Sequence, residues 1–117
     1  METLHFEGRD VPPYAVYAAA EELIVGNTYF MLHFVDDRMS IPELKPVVFI
    51  GRTLEEGISG NLYFQDASSY IAGVRYASAT GEDDAEFHTV REGTPLVFEF
   101  EKALDRLLYC SLTRSRD

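Results

Sequence analysis

The sequence predicts an α+β fold in which a small, mainly antiparallel β-sheet curls into a barrel-like core and carries two helices. Three observations predict it. Residues 28–35 and 46–52 alternate their side chains as strands do, and both faces of each segment are apolar. Apolar residues near the C-terminus recur at helical spacing. Turn-forming residues separate the extended segments at short intervals, and 117 residues suit one domain, residues 1–117.

The first predicted strand is residues 28–35, TYFMLHFV. Its alternate side chains divide between two faces, with Phe30, Leu32 and Phe34 on one and Tyr29, Met31, His33 and Val35 on the other. Both faces are largely apolar. Such a strand has to be covered on both sides, by barrel closure, by a helix or by a neighbouring chain.

The second predicted strand, residues 46–52, has Val47 and Phe49 on one side and Val48 and Ile50 on the other. This strand too is apolar on both faces. It therefore has the same need for cover on both sides.

The intervening residues 36–46, DDRMSIPELKP, are predicted to form a loop, because aspartates and prolines supply turn chemistry and oppose a regular helix. Ile41 and Leu44 are expected to turn inward. Residues 55–60 then lead through two glycines into a strand over residues 61–65.

Asp66 is a favoured helix N-cap residue and Gly73 suits a C-terminal cap, so a short helix is predicted over residues 67–72. The preceding chain is ambiguous. Over residues 13–22 the alanines favour a helix, whereas alternation of apolar residues permits a strand, which we favour slightly.

A strand over residues 86–91 and a C-terminal amphipathic helix complete the predicted fold. Thr94 and Pro95 suit the N-cap and first helical position, although residues 96–100 also fit a strand leading into the helix. The apolar residues at helical spacing are Phe100, Leu104, Leu107, Leu108 and Leu112. This helix is expected to pack over one opening or face of the sheet.

Composition excludes several classes of partner. Ten basic residues against twenty acidic ones give a net charge of −10, which repels nucleic acid and anionic membrane surfaces. No run of eighteen apolar residues predicts a membrane span. Cys110 is the only cysteine, which excludes an internal disulfide and suits the cytoplasm, and we read it as a buried structural thiol. No cofactor is predicted.

Few side chains suggest chemistry. His5, His33 and His88 lack the spacing of paired metal ligands, so no metal site is predicted. His33 with Asp36 or Asp37 is the best polar group, since a carboxylate can orient an imidazole as a general base. Paired aspartates after a strand are also ordinary turn formers. Four tyrosines could line a pocket but are predicted to serve in core packing or at a protein interface: Tyr29, Tyr63, Tyr70 and Tyr76.

Two functions fit these features. The favoured one is a non-enzymatic, cytoplasmic module that associates with itself as a homodimer, or with another protein, through an apolar sheet or helix face. Its candidate interface residues are Tyr29, Met31, Val48 and Ile50. The alternative is a small-molecule-binding protein or enzyme, whose candidate site residues are His33, Asp36, Asp37 and Tyr29.

Overall fold

The chain folds into a five-stranded antiparallel sheet with two α-helices, in a computed structural model that describes Thr3, residues 16–38 and residues 40–114. The strands are β1 (Thr28–Phe34), β2 (Pro42–Arg52), β3 (Asn61–Asp66), β4 (Phe87–Arg91) and β5 (Val97–Phe98). The helices are α1 (Ala67–Ile71) and α2 (Phe100–Arg114), and 3₁₀ turns lie at Ala20–Glu22 and Tyr76–Ser78. The predicted α+β class is confirmed. Among these residues, no helix is long and apolar enough to cross a membrane.

The strands lie in the order β4-β3-β2-β1-β5. β1 to β4 follow one another as an antiparallel meander, and β5 returns to pair with the free side of β1. In the described part of the chain, β4 and β5 are the two edges of the sheet and do not pair with each other. The sheet is therefore open, and the predicted curl into a barrel is not confirmed.

β2 begins at Pro42, so the loop predicted for residues 36–46 is wrong over its second half. Ile41 and Leu44 are 53% and 40% exposed and do not turn inward. The prediction failed because the aspartates and prolines were given the meaning of a turn over the whole segment. A proline is tolerated in a strand where its nitrogen faces no partner strand.

The hydrogen bonds of the β1–β2 hairpin show why these prolines fit. Phe49 N donates to Asn27 O, and Ile41 O accepts from Val35 N, so odd-numbered residues of this segment turn their backbone groups towards β1. Pro42 and Pro46 therefore turn their nitrogens away from β1. β3 pairs with β2 only from Val47 onward, so no β3 carbonyl lies opposite either proline.

The first face of the sheet holds the larger core. Its buried residues are Tyr29, Val47, Phe49, Leu62, Phe64 and Val97. Residues 16–24 cover this face, with Leu23 buried among these side chains and Ala18 N donating to Val97 O at 2.8 Å. Arg52 donates to the Ala20 carbonyl. The covering segment is thus tied to the edge strand β5 and to the central strand β2.

The strand favoured for residues 13–22 is wrong where the structure describes it. Residues 16–19 have no regular structure and Ala20–Glu22 is a 3₁₀ turn, while residues 13–15 lie outside the described residues. The segment crosses the sheet face and packs small alanines against it. The alternating apolar residues therefore do not mark a strand: Ala18 contacts the sheet core, whereas Val16 is 64% exposed.

The second face is covered in two parts. α2 lies over β1 and β5, where Phe98 and Ala103 are buried. Residues 67–78 lie over β3, where Gln65 Nε2 donates to Ser69 Oγ at 2.8 Å and to Val74 O at 3.0 Å. The predicted cap is confirmed, because the Asp66 carboxylate accepts from Ser69 N at 2.9 Å and begins α1.

α2 begins at Phe100, so the predicted start at Thr94 and Pro95 is wrong. Val97 and Phe98 form β5 instead and are each 2% exposed. Pairing with β1 and burial of both side chains outweigh the local capping signal, which is worth about 1 kcal/mol. The alternative prediction, a strand over residues 96–100 that leads into the helix, is confirmed for Val97 and Phe98.

A β-bulge in β2 depends on Gly51. Phe49 pairs with Phe64 and Gly51 pairs with Tyr63, so Ile50 is the extra residue. Gly51 has a φ of 147°, and a Cβ there would lie 3.1 Å from Leu54 Cδ2. Both the backbone angle and the close contact favour glycine.

Gly51→Ala is expected to lower the free energy of unfolding by about 1 kcal/mol or more, because alanine is strained at this φ and crowds Leu54. Urea unfolding followed by circular dichroism measures this. Gly81→Ala is the matched control, since Gly81 has no positive φ and no neighbouring atom within 4 Å of a built Cβ. Equal destabilisation by the two changes would contradict the role given to Gly51.

Candidate functional site

α2 carries a row of large apolar side chains on its exposed side, which we call the α2 ridge. Its members are Phe100, Leu104, Leu108 and Leu112, with exposures of 57%, 43%, 39% and 46%. They are spaced four residues apart, so they follow one another along a single helix face. Leu44 of β2, 40% exposed, lies beside Phe100 and Leu104 and widens the apolar surface.

α2 is held to the sheet by its other side. Ala103 and Cys110 are each 3% exposed, and the Cys110 thiol lies 3.9 Å from Ser40 O. The Arg106 guanidinium lies over the Phe34 ring at 5.0 Å. Phe100 also contacts the sheet, with its ring centroid 5.6 Å from that of Phe30, while Leu104, Leu108 and Leu112 remain substantially exposed. The buried thiol predicted for Cys110 is confirmed.

The polar residues predicted at the end of β1 do not form one cluster. His33 is exposed and lies on the first face, with its Nε2 3.5 Å from Glu43 Oε1. Asp36 lies in the β1–β2 turn and Asp37 is exposed next to it. Among the described residues, no hydrogen bond or ion pair joins His33 to either aspartate.

Asp36 instead holds the turn together. Its Oδ1 accepts from Ser40 N at 2.9 Å and from Ile41 N at 2.8 Å. The Ser40 hydroxyl donates to Oδ2. The hydrogen bond from Ser40, with those from the two backbone N–H groups, lowers the pKa of Asp36 below its ordinary value of 3.8. These bonds occupy the oxygens that a general-base partner would offer to His33.

The predicted interface residues lie in different environments. Tyr29 and Val48 are 6% and 3% exposed, and the Tyr29 hydroxyl accepts from Ile24 N at 2.9 Å. Met31 is half-buried against the first-face core. Ile50 is half-buried at the bulge and borders a cavity on the second face. Tyr29 and Val48 are thus core residues of the single chain and offer no surface to a partner or ligand.

A charged group on the first face was not anticipated from the sequence. Lys45 of β2 pairs with Glu86, and Glu86 Oε1 also lies 3.2 Å from His88 Nε2. The hydrogen bond from Lys45 is the largest cause that lowers the pKa of Glu86 below its ordinary value of 4.5. Lys45 is far in sequence from Glu86 and His88 and comes near them only through the pairing of β2, β3 and β4, so local pattern gave no sign of the group.

The described residues contain no group of three His, Cys, Asp or Glu side chains that could hold a metal ion. His33 and His88 lie on β1 and β4, with β2 and β3 between them. His5, the third histidine considered, lies outside the described residues.

A cavity of about 480 Å³, which we call the Tyr70 cavity, opens on the second face between the bulge and residues 70–77. Its walls include Val25, Ile50, Leu54, Tyr70 and Tyr76, and Arg75 lies at its side. Tyr63 packs behind it, with its ring centroid 5.6 Å from that of Tyr76. Two of the four tyrosines weighed from the sequence therefore line a cavity, and Tyr29 lies on the opposite face.

The Asp66 carboxylate accepts hydrogen bonds from Ser69 N, Ser69 Oγ and Glu86 N. Burial opposes ionisation, but these bonds outweigh it, so the pKa of Asp66 lies below its ordinary value of 3.8. A carboxyl whose pKa is lowered by folding stabilises the fold above about pH 4 and loses that contribution as the pH falls through its folded-state value.

Asp66→Asn is therefore expected to cost about 1 kcal/mol near pH 6, where the wild-type carboxylate is ionised. The difference from wild type should shrink below about pH 4, because the wild-type carboxyl is then protonated too. Urea unfolding of both proteins across this range measures it. A difference that stays constant with pH would contradict the role of the ionised cap.

No protein-family model matches the chain, and the searches of curated proteins and of solved structures found no significant match either. No relative therefore supplies a function. The candidate surfaces are those that the described residues build themselves, the α2 ridge and the Tyr70 cavity.

Proposed function

We propose that this chain is a non-enzymatic self-association module in which two copies pair through the α2 ridge. The observation that carries the proposal is the row of exposed apolar side chains along α2, from Phe100 to Leu112. Exposed apolar residues scattered singly are ordinary on a protein surface. A contiguous row on one helix face marks an interaction surface.

A second copy fits this row because the row is symmetric about its own centre. In an antiparallel pair related by a two-fold axis midway between Leu104 and Leu108, Leu104 meets Leu108 of the other copy and Phe100 meets its Leu112. Every apolar residue of the ridge then has an apolar partner. Such isologous contacts are the commonest way in which soluble chains dimerise.

Charge also favours this surface for pairing with itself. Residues 99–117 carry four acidic and four basic residues, whereas residues 1–98 carry sixteen acidic and six basic ones. The whole net charge of −10 thus lies outside the C-terminal segment. Two copies that meet through α2 bring together neutral segments and keep their acidic parts apart.

The ends of α2 are complementary in an antiparallel pair. Glu99 and Glu101 stand at its start, Arg114 is its last residue, and Arg116 follows two residues later in the sequence. Antiparallel pairing brings the acidic start of one helix next to the basic end of the other. A parallel pair would place like charges together, so the charges favour the antiparallel orientation.

We place this module in the cytoplasm. The fold uses no disulfide, and Cys110, the one cysteine of the sequence, is a buried thiol. A buried single thiol suits a reducing compartment. The acidic surface keeps other contacts between copies weak, which leaves the α2 ridge as the preferred contact.

The oligomeric mass in solution tests the proposal. Native mass spectrometry and sedimentation equilibrium of the wild type should give twice the 13.3 kDa of one chain. Leu104→Glu and Leu108→Glu should each weaken the dimer by roughly a hundredfold, about 3 kcal/mol, because each change buries two unpaired charges at the symmetric contact.

Ile71→Glu is the matched control, since Ile71 is an apolar residue of α1 that is 84% exposed and lies outside the ridge. This variant should keep the wild-type mass. Circular dichroism should show all three variants folded. A wild type that is monomeric at about 100 μM, a concentration at which a micromolar dimer would be mostly assembled, would overturn the proposal. So would equal dissociation by Ile71→Glu.

A further inference from the structure

The Tyr70 cavity has a rigid apolar wall. The ring of Tyr76 packs against Tyr63 and, at 5.2 Å between centroids, against Phe87. Its hydroxyl donates to Glu55 Oε1 at 3.4 Å. Burial, with the nearby Glu55 carboxylate, raises the pKa of Tyr76, so this side chain stays a neutral phenol at physiological pH. A wall fixed in advance loses little conformational entropy when a ligand binds.

Aliphatic side chains complete the apolar surface. Val25 and Leu54 are 58% and 37% exposed, and Ile50 projects from the bulge beside them. The cavity volume of about 480 Å³ lies within the range of small-molecule sites. An apolar group with one ring or a branched chain fits against these walls.

Arg75 supplies a charge that the fold does not neutralise. Its guanidinium lies over the Tyr70 ring at 4.0 Å, and no carboxylate of the described residues lies within salt-bridge distance of it. Nη1 donates to Tyr70 O and Val74 O, both at 2.8 Å. Those two bonds use both N–H groups of Nη1 and leave the Nε and Nη2 edge, which binds a carboxylate in a bidentate manner.

The cavity floor also has unused hydrogen-bonding capacity. Gln65 is fully buried and uses both N–H groups of its amide, on Ser69 and Val74, while its Oε1 accepts no hydrogen bond from any described residue. The buried Tyr63 hydroxyl likewise has no partner among them. Buried polar groups in native proteins are nearly always satisfied, so the Gln65 Oε1 acceptor suits a donor such as water, whereas the Tyr63 hydroxyl has a proton to donate.

We propose that the Tyr70 cavity binds a small carboxylic acid that carries one aromatic or branched aliphatic group. The carboxylate pairs with the free edge of Arg75, and the apolar group lies between Tyr76, Ile50 and Leu54. This site is separate from the α2 ridge, so the proposal holds whether or not the chain dimerises. The Tyr70 cavity also shares no residue with the candidate site predicted at His33, Asp36 and Asp37.

Titration with 3-phenylpropionate, followed by ¹H–¹⁵N NMR, tests the proposal, with 3-phenylpropionamide as a neutral ligand of the same shape. A ligand of about eleven non-hydrogen atoms is expected to bind in the millimolar to micromolar range. The carboxylate should shift the amide signals of residues 70–77 and bind about tenfold more tightly than the amide, because the charged hydrogen bonds to Arg75 are lost in the amide.

Arg75→Gln should remove this tenfold preference while leaving the amide affinity unchanged. Arg91→Gln is the matched control, because Arg91 is another exposed arginine that donates to a backbone carbonyl, Ser59 O, at 2.9 Å, and it does not line the cavity. The Arg91→Gln variant should keep the tenfold preference for the carboxylate over the amide. Ala77→Phe, which fills the cavity and retains Arg75, should lower the affinity for both ligands. This variant tests the cavity even if Arg75→Gln does not fold.

Three results would overturn the proposal. The first is equal affinity of the wild type for the acid and the amide. The second is signal shifts confined to residues outside the cavity. The third is the absence of shifts up to about 10 mM ligand, which is weaker than a site of this kind should bind.

Discussion

The fold depends on the burial of its two central strands, β2 and β3, on both faces. Val47 and Phe49 are 0% exposed, and Tyr63 and Phe64 are 1% exposed. Burying a large apolar side chain stabilises a fold by about 1.5 to 3 kcal/mol, so neither face of these strands can be left in water. Residues 16–24, α1 and the Tyr76 turn lie where they cover this pair of strands, while α2 covers the neighbouring β1 and β5.

Several short segments cover the sheet, and the way in which they pack creates both candidate surfaces. α2 packs on β1 and β5 through Ala103 and Phe100 and lies against Ser40 through Cys110. The larger leucines then face outward and form the α2 ridge. The layer over β3 is held by the amide of Gln65, and the space between this layer and the bulge is the Tyr70 cavity.

Neither the α2 ridge nor the Tyr70 cavity could be predicted from the sequence, because both depend on how distant segments pack. Leu104 and Leu108 were recognised as one face of an amphipathic helix, but helical spacing does not say which of two apolar stripes meets the sheet. Gln65 did give a signal, as a polar residue in the middle of a buried strand. Arg75 gave no such signal in the sequence. Whether an arginine has a carboxylate beside it depends on the surrounding fold.

The sequence by itself determined the α+β class, the presence of strands in residues 28–35 and 46–52, the Asp66 cap and a C-terminal helix, because alternation, helical spacing and capping act between near neighbours. Only the tertiary structure decided the rest. Pro42 entered β2 because its nitrogen faces away from β1, Val97 and Phe98 became β5 because β1 offered a free edge, and Tyr29 became core because residues 16–24 cover it. Each outcome depends on contacts between segments distant in the chain, which no local pattern specifies.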